Sequence, residues 1–165
     1  MKLKLELGGI IFTLDVFEDD IDDKHYNAMF SLESEEWLNY ISGAEGYIEY
    51  SEIEDLKNNL RLILLDELKE YEEFDFCNLN LSLSLFPKRI DCQLSLFDEG
   101  VRITDISGEL KVNFNNKSSS SNYLSMFLDK KDIEYLKNYF NLITNEMNLD
   151  TPVIQKMLDN GTLLG

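Results

Sequence analysis

The chain has 165 residues, of which 44% are hydrophobic, and 32 acidic residues stand against 15 basic ones. A chain of this length buries roughly two thirds of its unfolded surface, so we expect a single domain, residues 1–165, whose core needs no disulfide or metal. The formal net charge of −17 argues against binding nucleic acid or an anionic membrane, because both bind proteins through lysine and arginine; any charged partner should be basic, or a cation.

The first residues alternate between apolar and polar. Leu3, Leu5 and Leu7 share one face of a predicted strand, Gly8-Gly9 follows, and the alternation then resumes. Paired glycines between alternating runs favour a hairpin, since such turns need positive φ angles that glycine adopts without steric cost. A β-bulge in one long strand is the alternative. The apolar runs are too short for a signal peptide or a membrane span, which predicts a cytoplasmic protein.

Two acidic clusters lie on either side of the next predicted strand. Mutual repulsion among the carboxylates from Glu18 to Asp23 predicts a solvated loop. After a strand through Met29 and Phe30 the acids resume at Glu33, and Trp37 follows them. We expect the two clusters to share one edge of the sheet. Clustered charge of one sign steers a partner of the opposite sign.

A strand that runs directly into an amphipathic helix occurs twice, in residues 46–64 and 126–144. The period of the apolar residues changes from about 2 to about 3.6 within each copy. Ser51, with Glu54 three residues later, predicts the N-cap of the first helix. The buried stripes of the two copies correspond, with Ile53, Leu56 and Ile63 in the first and Ile133, Leu136 and Ile143 in the second. Two such units predict one antiparallel sheet with two helices on it.

Between the copies, residues 79–96 form the clearest strand pair, in which leucine alternates mainly with serine on either side of Pro87. The alternation predicts one face packed on the helices and one polar face open to water or to a partner. A turn at Pro87-Lys88 places Cys92 opposite Leu83, and we expect Cys92 to be a small buried hydrophobe. The segment from Val101 to Phe114 is predicted to continue the meander.

The serine-rich residues 115–122 predict a loop, after which a last strand leads to the second helix, with Asp129 as its cap. Residues 149–165 are predicted to be a tail or a short helix, because Thr151 can cap it, Pro152 suits its first position and Gly161 follows its end.

Catalytic and metal chemistry has little support in this sequence. There is one histidine, and no nucleophile or orienting group stands near it in sequence. We therefore expect no enzyme activity and no cofactor. The segment from Glu18 to Asp23 has oxygen ligands suited to calcium but lacks the glycine and the downstream glutamate of an EF-hand loop.

The order of features resembles the WapI-type immunity proteins, small acidic bacterial proteins that neutralise the toxic C-terminal domain of a wall-associated or contact-dependent toxin. The resemblance covers about residues 5–147 and rests on the opening L-E-L-G-G-I-I-F-T-L-D-V-F, on Trp37-Leu38, on the leucine-serine hairpin, and on the motifs S-E-I-E-D-L-K and K-D-I-E-Y-L-K. It implies a non-enzymatic cytoplasmic α+β protein that binds a basic toxin domain, for example a nuclease. The side chains expected to contact that partner are Asp19, Asp20, Asp22, Asp23, Glu33, Glu35, Glu36 and Trp37.

Several alternatives stay open at this point. The acidic clusters can serve solubility alone, and a deep pocket with two convergent carboxylates would favour a hydrolase. Trp37 is either an anchor of that interface or a core residue. An alternative to the immunity function is a regulatory or ligand-binding module. Such a module would use the open polar face formed by Asn80, Ser82, Ser84, Gln93 and Ser95. The oligomeric state does not follow from the sequence.

Overall fold

The computed structural model describes residues 1–18, 25–35, 38–42, 46–76, 79, 81–88, 92–96, 102–105, 108–111 and 124–165. These residues contain three helices, α1 (Tyr50–Leu64), α2 (Lys130–Ile143) and α3 (Pro152–Asp159). They also contain twelve strands, β1 (Lys2–Leu7), β2 (Ile10–Glu18), β3 (His25–Ser34), β4 (Leu38–Ile41), β5 (Gly46–Glu49), β6 (Glu72–Phe76), β7 (Leu81–Leu85), β8 (Cys92–Leu96), β9 (Arg102–Asp105), β10 (Gly108–Lys111), β11 (Leu124–Leu128) and β12 (Leu163–Leu164).

The fold is α+β and its strands pair antiparallel, as the sequence predicts, but they form two sheets and not one. The larger sheet has the order β10-β9-β4-β3-β2-β1-β12, and β5 also pairs with β3. The smaller sheet has the order β11-β8-β7-β6. The predicted continuation of the meander after β8 is wrong, because Ile103 of β9 pairs with Leu38 of β4 in the larger sheet.

The N-terminal hairpin is confirmed, which excludes the β-bulge. β1 and β2 pair along their length, and Gly8 and Gly9 join them with φ angles of +62° and +88°. Successive residues of β1 to β3 alternate between buried and more exposed positions. The larger sheet therefore has one inward face and one outer face.

A single continuous core lies on the inward face. Residues such as Leu14 and Phe30 of the larger sheet, Ile53 of α1, Leu83 of the smaller sheet and Phe140 of α2 are at most 2% exposed. Cys92 is also fully buried, as predicted. The hydroxyl of Tyr139 fixes α2 to the larger sheet, since it accepts from Val16 N–H at 2.8 Å and donates to the Met1 carbonyl at 2.9 Å.

Both copies of the repeated unit form a strand followed by a helix, but β5 belongs to the larger sheet and β11 to the smaller one. Asp129 caps α2 as predicted, because its carboxylate accepts from the backbone of Lys131 and Asp132. The predicted cap of α1 is wrong. The helix starts earlier, and its N-cap is Glu49. The backbone N–H of Glu49 donates to the Glu52 carboxylate at 2.9 Å.

The C-terminal residues pack against the rest of the fold. The predicted short helix is α3, with Thr151 at its cap and Pro152 at its start. Its side chains Ile154 and Met157 are fully buried. The chain then returns through β12, which pairs with β1. The sequence did not predict that strand, which has only two residues.

Candidate functional site

The structure describes two of the eight residues predicted to contact a partner. Glu33 lies near the end of β3 and Glu35 follows that strand, and both side chains are exposed. The remaining six lie outside the described residues: Asp19, Asp20, Asp22, Asp23, Glu36 and Trp37.

In sequence, the first acidic cluster precedes β3 and the second begins near its end. Most residues of both clusters lie outside the described residues, so their sharing one edge of the sheet stays a prediction. At one end of β3 Tyr26 pairs with Glu18, and near the other end Glu33 pairs with Ile11. Glu33 lies seven positions after Tyr26, which at the rise of a strand is about 23 Å. β3 is also an interior strand, with β2 on one side and β4 and β5 on the other. The sequence shows which strand the clusters flank, whereas its place in the sheet depends on pairing with distant segments.

Glu33 belongs to the outer face of the larger sheet, whose side chains alternate with the buried ones. The pairing places Ile11, Glu33 and Asn39 in one row across β2, β3 and β4. Thr13, Ser31 and Ile41 form the next row. This face carries exposed apolar side chains, since Ile41 is 66% and Phe17 41% exposed.

A shallow pocket of about 180 Å³ lies on the outer face. It combines apolar side chains, Met29 and Ile41, with the polar group of Ser31 and the carboxylates of Asp15 and Glu33. Lys2 also lines it, and its ammonium lies 3.4 Å from the Asp15 carboxylate. The N-terminal ammonium also lies near Asp15, at 4.0 Å. Among the described residues, no cation lies within ion-pair distance of the Glu33 carboxylate.

A second acidic surface lies beside the first strand-helix unit. A groove of about 380 Å³ between α1 and β6 is lined by Glu52 and Asp55 from the helix and by Glu73 and Asp75 from the strand. Burial raises the pKa of the Asp75 carboxyl above its ordinary value, and the neighbouring Glu73 carboxylate raises it further. The groove therefore concentrates negative charge at the edge of the smaller sheet.

The polar face of the smaller sheet is not open as predicted. Ser82 and Ser95 are 1% exposed and Ser84 is 7% exposed. These serines lie on the two central strands. The Tyr71 hydroxyl lies 3.2 Å from the Ser84 hydroxyl, and the Gln93 amide donates to Ser95 at 3.3 Å. Asn80 lies outside the described residues. The ligand-binding alternative loses the open surface on which it depended.

Within the described ranges, no group of three or more His, Cys, Asp or Glu side chains is placed to hold a metal ion. His25 is half-buried at the start of β3, and its ring centroid lies 5.2 Å from that of Tyr47. The predicted calcium ligands after Glu18 lie outside the described residues.

None of the helices in the described part of the chain has the length and apolar character needed to cross a membrane. Comparison with known proteins gave no match to a family model, to a curated protein or to a solved structure.

Proposed function

We propose that this protein is a non-enzymatic, cytoplasmic binding protein that neutralises a basic toxin domain, as an immunity protein does. The observation that carries the proposal is the outer face, where exposed apolar side chains lie beside the Glu33 carboxylate, which has no described cation within ion-pair distance. In sequence, acidic residues continue from both ends of β3, in residues 19–23 and in Glu35 and Glu36. A net charge of −17 makes a basic protein the matching partner.

The carboxylates and the exposed apolar side chains act on different steps of binding. Clustered carboxylates accelerate the encounter with a basic partner by about 10- to 1,000-fold at low salt. Apolar groups at the centre of an interface lose water on binding and slow dissociation. A nuclease domain suits this chemistry because its substrate groove binds phosphates, and carboxylates can occupy that groove in their place.

The test is co-expression in a bacterial host of this protein with the C-terminal domain of a toxin encoded next to its gene. We expect growth to be restored by this protein and not by the variant Asp20→Lys, Glu33→Lys, Glu35→Lys. Continued killing in the presence of the folded protein, or a neighbouring operon that encodes metabolic enzymes and no toxin, would count against the proposal.

A further inference from the structure

We infer that the pocket around Glu33 on the outer face receives a single arginine side chain from a basic protein partner. The inference rests on the proposed function and specifies its recognition site. The pocket has the composition that an arginine requires, namely an apolar wall for the stem and a carboxylate for the head group.

The apolar wall consists of Met29 on β3 and Ile41 on β4, which both line the pocket. Ile41 is the most exposed of the large hydrophobic side chains described, at 66%. Covering it with the methylene groups of a long side chain removes apolar surface from water, which is favourable. A small anion or a metal ion would leave this surface exposed, so the wall favours an amphipathic ligand.

The carboxylate available to the head group is that of Glu33. Asp15, the other acid of the pocket, already lies 3.4 Å from the ammonium of Lys2. The Ser31 hydroxyl donates one long hydrogen bond, at 3.4 Å, to Oε1 of Glu33. Its cross-strand neighbours Ile11 and Asn39 carry no charge. Glu33 therefore keeps its capacity to accept two hydrogen bonds from one guanidinium.

Arginine fits better than lysine because its guanidinium is planar, offers two parallel donors and is more weakly hydrated than an ammonium. A second copy of this chain is disfavoured as the occupant, since two molecules of charge −17 repel each other. The acidic residues that flank β3 in sequence favour a basic protein surface around the inserted arginine.

The experiment is a titration of the full chain with N-acetyl-arginine amide, followed by NMR of its backbone amides and methyl groups. A contact of about 4 kcal/mol corresponds to a dissociation constant near 1 mM, so concentrations on the order of 10 mM are required. We expect saturable shifts centred on Met29, Ser31, Glu33 and Ile41. N-acetyl-lysine amide should bind at least several-fold more weakly.

Two variants make the result specific. Glu33→Gln should weaken binding of the probe by about tenfold, because the charge-assisted hydrogen bonds are lost. The control Glu6→Gln removes the same charge from an exposed residue of β1 on the same face and should leave the affinity unchanged. The spectrum of each free variant shows whether it is folded. Shifts scattered over many acidic sites, or equal affinity for the two variants, would overturn the pocket assignment.

The pocket and the proposed function can fail separately. If the probe binds at Glu33 but no toxin domain is neutralised, the pocket stands and the immunity role falls. If a toxin domain is neutralised equally well by the protein and by Glu33→Gln, and the probe does not bind, the immunity role stands and the arginine pocket falls. Self-association that Glu33→Gln abolishes would replace the partner with a second copy and overturn the inference.

Discussion

Lys57 is a buried cation that joins the two long helices. Its ammonium lies 2.6 Å from the carboxylates of both Glu54 and Glu146 and 3.0 Å from the Thr144 hydroxyl. Desolvation alone lowers the pKa of this ammonium, but the bonds to Glu146 and Glu54 together raise it above its ordinary value. The lysine therefore stays charged at neutral pH and fixes the end of α2 to α1.

Replacing Lys57 with methionine should lower the free energy of unfolding by about 1–2 kcal/mol, because three hydrogen bonds from a charged donor are lost while the two carboxylates remain half-exposed. Urea denaturation measures the change. The matched control is Lys137→Met, since Lys137 holds the equivalent position in the second copy and is only half-buried. Equal losses in the two variants would show that the network around Lys57 does not stabilise the protein.

The raised pKa of Asp75 predicts a pH-dependent stability. An acid whose pKa is higher in the folded than in the unfolded state favours folding when it is protonated, and this contribution is lost as the pH rises from the unfolded value, about 3.8, through the raised folded value. Asp75→Asn should therefore raise the melting temperature at pH 7 and leave it nearly unchanged at pH 3. A lower melting temperature of the variant at pH 7 would contradict the assigned cause.

At the scale of the element, local signals predicted most of the strands and helices correctly. Paired glycines predicted the first hairpin, Asp129 the start of α2, and Pro152 that of α3, because each of these acts within a few residues. The register of β7 and β8 was predicted wrongly by two positions, since Cys92 pairs with Leu85 and not with Leu83. A shift of two residues keeps every side chain on its face, so the leucine face was predicted correctly all the same.

The sequence does not show why the first strand-helix unit starts with a glycine, Gly46. It begins β5, and a Cβ atom placed there would overlap the Leu79 side chain and lie 2.6 Å from the carbonyl oxygen of Ala28. Only glycine leaves room for this close approach of β5 to β3. The contact joins segments far apart in the chain, and no local pattern of residues indicates it.

Gly46→Ala should destabilise the protein by about 1–3 kcal/mol, the usual cost of inserting a methyl group into a packed core. The midpoint of urea unfolding provides the measurement. Gly165→Ala is the control, because no atom lies within 4 Å of the position that its Cβ would take. Indistinguishable midpoints for the two variants would mean that Leu79 moves aside at little cost.

At the scale of the whole molecule, long-range pairing decides how the predicted parts are arranged. The sequence predicts the repeated strand-helix unit but not that its copies join different sheets, because sheet membership depends on pairing with strands far away in the chain. The same limit applies to the site. The sequence identified Glu33 through its acidic neighbours, whereas its place beside Met29 and Ile41 follows from the pairing of β3 with β4.

The central claim is the proposed binding of a basic toxin domain, and it is tested most directly by the rate of association with that domain, measured by stopped flow at several salt concentrations. The variant Asp20→Lys, Glu33→Lys, Glu35→Lys should associate more slowly at low salt and show a weaker salt dependence than the wild-type protein. The control Glu134→Lys, Asp150→Lys, Asp159→Lys changes the net charge equally at exposed residues elsewhere, and should retain most of the wild-type rate. Equal rates and salt dependences for the two variants would contradict a binding surface at the acidic ends of β3.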